Sequence, residues 1–250
     1  ARLLEAPAIP HKTFIANLVS YQALYDLAYG LVGALAAHKD PREPVVLFTQ
    51  EKALTAAAML TAAADGTPEF LLPYALNSNV LREIHAATGA CRVVTDQPVD
   101  LPAPMQLVRF TPAGFPSAGL PPAPTDKIIA RLFTGGTTGK PQVWPKTVGN
   151  LFGEAYFMAE KFNFSPADCL VTTTVPYHIY GLLFAVLVPL VTSSRVAGGP
   201  SIYPQDITDA ISRHNATVFA GVPSHYRVLR DVNFQADHLR LAISSAGRLE

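Results

Sequence analysis

The chain is poor in charge and in cysteine, and each shortage excludes a class of protein. Only 15% of its 250 residues are charged, and the formal net charge is zero. Because no basic block is available to meet phosphates, nucleic acid is not expected as the main partner. The two cysteines, Cys91 and Cys169, cannot build a disulfide framework or a zinc site, so they favour a reducing, cytoplasmic location.

Long apolar runs and familiar dinucleotide signatures are also missing. The longest apolar candidate, 182–191, is too short to span a bilayer and contains Pro189, so no membrane span is expected. No signal peptide is recognisable at Ala1. The turn after the first predicted strand, 49–51, lacks G-x-G-x-x-G, which argues against a dinucleotide-binding unit.

The remaining pattern predicts an α/β fold. A hydrophobic content of 49% suffices for a large core or for two lobes. The predicted helices cover 14–37, 51–64, 77–88, 148–162, 182–190, 204–214 and 223–231. The predicted strands cover 45–49, 69–73, 91–95, 106–110, 128–133, 142–146, 169–174, 194–197, 216–222 and 239–244. This alternation indicates parallel-sheet layers with flanking helices, in two sub-lobes at 1–97 and 126–250 joined by a proline-rich connector at 98–125.

A glycine-rich segment follows the apolar strand at 128–133. It reads Thr-Gly-Gly-Thr-Thr-Gly-Lys-Pro from Thr134 to Pro141. Its glycines allow several N–H groups to converge on an anion, and the threonines and Lys140 add further donors, which suits a polyphosphate. A flexible surface turn is the alternative, and for a lone glycine-rich loop it would be the better one. The segment is not a P-loop, because Pro141 stands where Ser or Thr must bind magnesium.

Two other segments follow predicted buried strands. Tyr177-His178-Ile179-Tyr180-Gly181 stands at the carboxyl end of a strand, where open α/β sheets bind ligands. It is either a pocket wall with one polar group or an aromatic core corner. Gly221-Val222-Pro223 stands at the end of the predicted strand at 216–222, and Gly221 suggests close approach by a ligand or by another backbone segment. Ser224 beside His225 does not indicate a hydrolase, since G-x-S-x-G is absent.

In this order, the segments resemble the adenylate-forming (AMP-binding) superfamily of acyl- and aryl-CoA synthetases, adenylation domains and luciferases. The loop is similar to T-S-G-T-T-G-K-P-K-G, 175–181 to P-L-F-H-x-x-G-L, 221–223 to G-V-P, and 239–249 to the S-G-G-A-P-L stretch. The resemblance implies that residues 1–250 are a partial N-terminal AMP-binding domain. The family's Y-G-x-T-E motif and its C-terminal domain are then expected elsewhere in the parent protein.

The resemblance also implies a reaction and a set of site residues. ATP activates a small carboxylic acid as an acyl-adenylate, and a thiol of CoA or of an acyl carrier protein then accepts the acyl group. Magnesium is expected with ATP, held by a ligand outside this chain. The implied nucleotide-binding residues are Thr134, Gly135, Gly136, Thr137, Thr138, Gly139, Lys140, Ser245, Ala246 and Gly247. The implied catalytic residues are Lys140 and His178, the latter orienting the acid. The implied pocket residues are Tyr177, His178, Tyr180, Gly221, Val222 and Pro223.

Departures from the family pattern support alternative functions. Gly135 stands for the usual serine, Gln142 for lysine and Val143 for glycine, so the loop loses a hydroxyl and a charge. A catalytically silent nucleotide- or acyl-binding module is therefore an alternative. An unrelated α/β enzyme with an accidental glycine-rich loop is another. If the resemblance holds, the fragment by itself is expected to be a poor or inactive catalyst, because the family's site is assembled from both sides of a cleft.

Overall fold

A computed structural model describes residues 2–134, 142–199, 203–230 and 232–248. Its strands are β1 (Thr13–Ile15), β2 (Val19–Ser20), β3 (Val45–Phe48), β4 (Phe70–Leu72), β5 (Arg92–Thr95), β6 (Gln106–Leu107), β7 (Ile128–Thr134), β8 (Gln142–Thr147), β9 (Cys169–Thr172), β10 (Arg195–Val196), β11 (Val218–Gly221) and β12 (Leu241–Ser244). Its helices are a 3₁₀ turn (Arg2–Leu4), α1 (Tyr21–Ala36), α2 (Lys52–Ala63), α3 (Ser78–Thr88), α4 (Val148–Lys161), α5 (Ile179–Gly181), a π-helical stretch (Leu182–Leu187), α6 (Val188–Thr192), α7 (Pro204–Arg213) and α8 (Pro223–Leu229). None of the helices in these ranges is long and apolar enough to cross a membrane.

The described strands form two six-stranded sheets. The first has the order β6-β5-β3-β4-β7-β8, and the second has the order β12-β11-β9-β10-β1-β2. Strand β3 pairs in parallel with β4 and with β5, as its helical crossovers predict. All four residues of β3 are buried, which accords with its unbroken apolar sequence. The predicted α/β class is confirmed.

The predicted helix at 14–37 is wrong over its first seven residues, which form a hairpin. Strands β1 and β2 pair antiparallel through a turn in which Asn17 has φ +63°. Asparagine tolerates this left-handed conformation better than most residues. Ser20 then caps α1, because its hydroxyl accepts a hydrogen bond from the Ala23 amide. Periodicity alone missed this cap and the pairing of β1 with β10.

The two sheets do not follow the predicted sub-lobes. Strand β7, which was expected to open the second sub-lobe, pairs with β4 of the first sheet, with Ala130 opposite Phe70. Strands β1 and β2, expected in the first sub-lobe, belong to the second sheet. The connector at 98–125 contributes only the short strand β6, not the predicted strand at 106–110. These partners are long-range, and the local sequence carries no signal for them.

Helix α2 is buried along almost its whole length and contacts β7 of the first sheet and β1 of the second. Its N-terminal residue, Lys52, is only 7% exposed. The Lys52 ammonium donates to the carbonyl oxygens of Ala197, at 2.5 Å, and Gly199, at 3.3 Å, both just beyond β10. Burial lowers the pKa of Lys52 to about 8, against the smaller opposing effect of Glu51. A single side chain thus connects α2 to the end of a strand in the second sheet.

A buried carboxylate holds the start of β12 to the turn before β9. Asp168, whose side chain is 4% exposed, accepts from Arg240 Nε and Nη2, both at 2.9 Å. It also accepts from the Thr217 hydroxyl at 2.6 Å and from the Ser165 amide at 2.8 Å. Burial by itself would raise the pKa of Asp168, but the hydrogen bonds from Arg240, Thr217 and Ser165 lower it below the usual 3.8.

We expect Asp168→Asn to lower the free energy of unfolding by about 2 kcal/mol, because Arg240 and Thr217 lose a charged acceptor. Since folding lowers the pKa of Asp168, this contribution is present above pH 4 and is lost as the pH falls through the folded-state value. Urea unfolding at pH 7 and at pH 3 measures both effects. Asp237→Asn, at an exposed position, is the control. If Asp168→Asn lowers the free energy of unfolding by the same amount at both pH values, the lowered pKa of Asp168 is contradicted.

Lys52 also makes stability rise with pH, in a higher pH range. Its pKa falls from 10.5 in the unfolded chain to about 8 in the fold, so the unfolded state binds more protons between these values. Stability relative to Lys52→Met should therefore rise from pH 8 to pH 10. Denaturant unfolding across this range measures it, with Lys39→Met at an exposed site as the control. A difference that does not change with pH would show that Lys52 keeps its charge in the fold.

Candidate functional site

The glycine-rich loop joins two strands that pair with each other. Strands β7 and β8 form an antiparallel hairpin in which Thr134 faces Gln142 and Leu132 faces Trp144. Gly135, Gly136, Thr137, Thr138, Gly139, Lys140 and Pro141 lie outside the described residues. The hairpin pairing nevertheless fixes both ends of the loop, at the carboxyl end of β7 and at the edge of the first sheet.

A cavity of about 290 Å³ opens beside this hairpin. It is lined by Leu132, Phe133, Trp144, Lys146, Tyr177, His178 and Ile179. The first four residues belong to the first sheet, and the last three follow β9 of the second sheet. The structure therefore brings the predicted Tyr177 and His178 to the strands that carry the loop, although 30 or more residues separate them in sequence.

A backbone hydrogen bond holds His178 in place, and its side chain lines the cavity. Its carbonyl oxygen accepts from the Leu182 amide at 2.7 Å, at the start of the helical run. The imidazole lies 4.9 Å from the Tyr177 ring, which in turn stacks on Phe48 at 4.7 Å and 27°. Partial burial lowers the pKa of His178, so the ring is neutral at pH 7 and offers one donor and one acceptor.

The other predicted pocket residues gather around the ends of β11 and β12. The Tyr180 and Tyr226 hydroxyls both donate to the Ile243 carbonyl oxygen, at 2.9 and 2.8 Å. A Cβ atom on Gly221 would lie 2.9 Å from the Phe219 ring, so the close neighbour of Gly221 is a protein side chain. The predicted Val222 caps α8 and Pro223 begins it. None of these residues lines the 290 Å³ cavity.

Ser245, Ala246 and Gly247 follow β12 at the same end of the sheet and are exposed. Gly247 stands close to Pro223, since a Cβ atom on it would lie 3.5 Å from the proline ring. Next to them, Ser244 pairs in register with Gly221, and its buried hydroxyl has no hydrogen-bond partner among the described residues. The Thr173 hydroxyl, directly after β9, is also buried and has no hydrogen-bond partner among the described residues. These two hydroxyls are available to a ligand or to water, and no sequence motif indicated them.

The model of the AMP-binding enzyme family matches residues 10–250. The chain belongs to this family. An acyl-CoA ligase of Ajellomyces capsulatus is 27% identical over 116 residues, which cover 44% of this chain and 20% of that protein. A sulfoacetate–CoA ligase of Cupriavidus necator is 30% identical over 105 residues, covering 42% and 21%. ATP-bound MatB from Rhodopseudomonas palustris superposes with a TM-score of 0.82 at 24% identity, over 100% of this chain and 55% of MatB.

These comparisons confirm the predicted family and fold. They also show that this AMP-binding chain spans about half the length of the solved structure it matches. Within the described ranges, no three His, Cys, Asp or Glu side chains are grouped so as to hold a metal ion. The magnesium ligand that is expected outside this chain stays a prediction.

Sequence reasoning missed Trp144 and Lys146, which line the cavity opposite His178. The available signal was the only tryptophan of the chain, standing on an extended segment directly after the glycine-rich loop. Trp144 does not fill the core, because it is 52% exposed on the edge strand β8. Its place beside the loop makes it a candidate ligand contact.

We expect His178 to titrate below pH 6.5 in the folded chain, because its burial disfavours the imidazolium. Two-dimensional NMR of the histidine ring protons against pH measures this, with His178→Gln to assign the signal. The same protein in urea gives the unperturbed reference. A midpoint at or above the value in urea would contradict a neutral, partly desolvated imidazole in the cavity.

Proposed function

We propose that the complete protein containing this chain is an AMP-forming acid–thiol ligase. In its first step, an oxygen of a carboxylate attacks the α-phosphorus of ATP, and the bond to pyrophosphate breaks. In the second step, a thiolate attacks the acyl carbon and AMP leaves. Family membership supports this reaction, as do the relatives named as CoA ligases. The observation that carries the proposal is the cavity that is bounded both by the strands of the glycine-rich loop and by His178.

The loop would hold the pyrophosphate half of ATP. Negative charge builds on this group as it leaves, and donors fixed in advance lower the barrier. The hydroxyls of Thr134, Thr137 and Thr138, the amides of Gly135, Gly136 and Gly139, and Lys140 are the proposed donors. The pairing of β7 with β8 supports this role, because it restrains both ends of the segment before ATP arrives.

His178 would orient the acid. A neutral imidazole can donate one hydrogen bond to the carboxylate without fixing it as an ion pair, so the carboxylate oxygen keeps its nucleophilicity toward phosphorus. The Tyr177 ring stacks on Phe48 and contacts the His178 ring, so it would help to hold the imidazole in place. Tyr180, Gly221, Val222 and Pro223 would form the acyl side of the site, and Ser245, Ala246 and Gly247 would lie along the adenine or the acyl group.

The acceptor is a thiol of CoA or of an acyl carrier protein, and the setting is cytoplasmic. CoA is the acceptor named for the relatives, so they support CoA ahead of a carrier protein. A catalytically silent binding module stays the second candidate, because Gly135 and Gln142 remove a hydroxyl and a charge from the loop. Calorimetry with ATP on the complete protein separates the two, since binding without pyrophosphate exchange favours the module.

Acid-dependent exchange of labelled pyrophosphate into ATP is expected from the complete protein. Lys140→Ala and Thr138→Ala should each slow it by roughly ten- to a hundredfold, because each removes a donor to the pyrophosphate. Lys39→Ala, in an exposed turn, is the matched control and should leave exchange unchanged. No exchange with any acid of a broad panel would exclude the ligase, and normal exchange in both loop variants would exclude the assigned role of the loop.

A further inference from the structure

Trp144 and Lys146 form a pair on the cavity side of strand β8. They are two residues apart on a strand, so their side chains project from the same face. Both line the 290 Å³ cavity opposite Tyr177 and His178. Strand β8 is the edge of the first sheet, so no further described strand covers this pair.

Neither the Trp144 indole nor the Lys146 ammonium has a side-chain partner among the described residues. The Trp144 side chain is 52% exposed, and no hydrogen bond or ring contact engages it within the described residues. An indole of this size is stabilised when it is covered, and tryptophans left open beside cavities are common contact points for ligands. Lys146 is half-buried, and among the described residues no carboxylate or carbonyl oxygen accepts from its ammonium.

The charge of the cavity favours an anion. Among the described residues that line it there is no aspartate or glutamate, and Lys146 is the one lysine or arginine. The other titratable groups that face it are His178, whose lowered pKa keeps it neutral at pH 7, and Tyr177, whose pKa burial raises. Among these described residues, an anionic group that enters the cavity therefore meets one positive charge and no negative one.

Lys146 stands near the far end of β8 from Gln142. Gln142 is the first described residue after the loop, and four residues of strand place Lys146 roughly 13 Å beyond it. Trp144 lies between the two positions. An anion held by Lys146 would therefore lie away from the Gln142 end of the hairpin, and the ligand portion between the two positions would cover the indole.

We propose that the acid activated at this site carries a second anionic group, which pairs with Lys146 while its apolar spacer packs on Trp144. This assignment rests on the proposed function, since the first carboxylate must react beside the loop and His178. The volume of about 290 Å³ suits a small acid and is too small for a whole nucleotide-bearing thiol. The substrate class is then a dicarboxylic or similarly dianionic acid.

A binding experiment tests the cavity without requiring catalysis. Trp144 is the only tryptophan of the 250-residue chain, so its emission reports directly on what covers the indole. We expect succinate, adipate or suberate to shift the emission to the blue, with an affinity roughly tenfold higher than that of the monocarboxylate of equal length. Lys146→Met should abolish this difference, Lys146→Arg should keep it, and Lys39→Met should behave as wild type. Equal affinities for both acid series, or no saturable shift, would overturn the proposal.

Pyrophosphate exchange by the complete protein tests the same assignment in the reaction. Lys146→Met should lower kcat/KM for the best dicarboxylate by roughly tenfold and leave monocarboxylates unchanged. An equal loss with both series, or an effect confined to the KM for the thiol in thioester formation, would overturn it. Absence of exchange with every acid, combined with the expected fluorescence result, would instead refute the proposed ligase and retain a dianion-binding cavity.

Discussion

The arrangement of this molecule depends on the burial of helix α2, which contacts both sheets at once. Alanine fills much of this helix, so the two sheets can approach it closely, and a helix that is apolar nearly all round has no face to give to water. This shared helix holds the carboxyl end of β3 close enough to the second sheet for Phe48 to stack on Tyr177. The cavity between the β7–β8 hairpin and His178 is a consequence of that packing.

Few charged groups are buried inside the fold, and two of them connect separate elements. Lys52 joins α2 to the segment after β10, and Asp168 joins the turn before β9 to β12 through Arg240. Both are satisfied by several hydrogen bonds, which is the condition under which burial of charge is tolerated. Lys146 differs from them, since it reaches a cavity and has no such partner among the described residues.

In the proposed function, the described residues would form one side of a larger active site. The described chain supplies the hairpin that carries the glycine-rich loop, a neutral imidazole and an aromatic surface, and it spans about half the length of a solved family member. In the proposed function, the glycine-rich loop would hold the pyrophosphate, and His178 would orient the acid. That division suits a reaction in which the carboxylate must be brought in line with the α-phosphorus before the chemistry begins.

Features with a local physical cause could be predicted from the sequence. Helix α3 begins after the cap Asn77 and ends at Gly89 with φ +75°, and α4 begins after Thr147, because caps and left-handed glycines act within one turn. The order of the glycine-rich, Tyr177–Gly181 and Gly221–Pro223 segments indicated the AMP-binding family for the same reason, since each is a short stretch with its own chemistry. The tertiary structure alone decided the pairing of β7 with β4 and of β1 with β10, because strand partners are chosen by burial across long separations. It also placed Trp144 and Lys146 opposite His178, since these residues are distant in sequence and their residue types do not specify each other as neighbours.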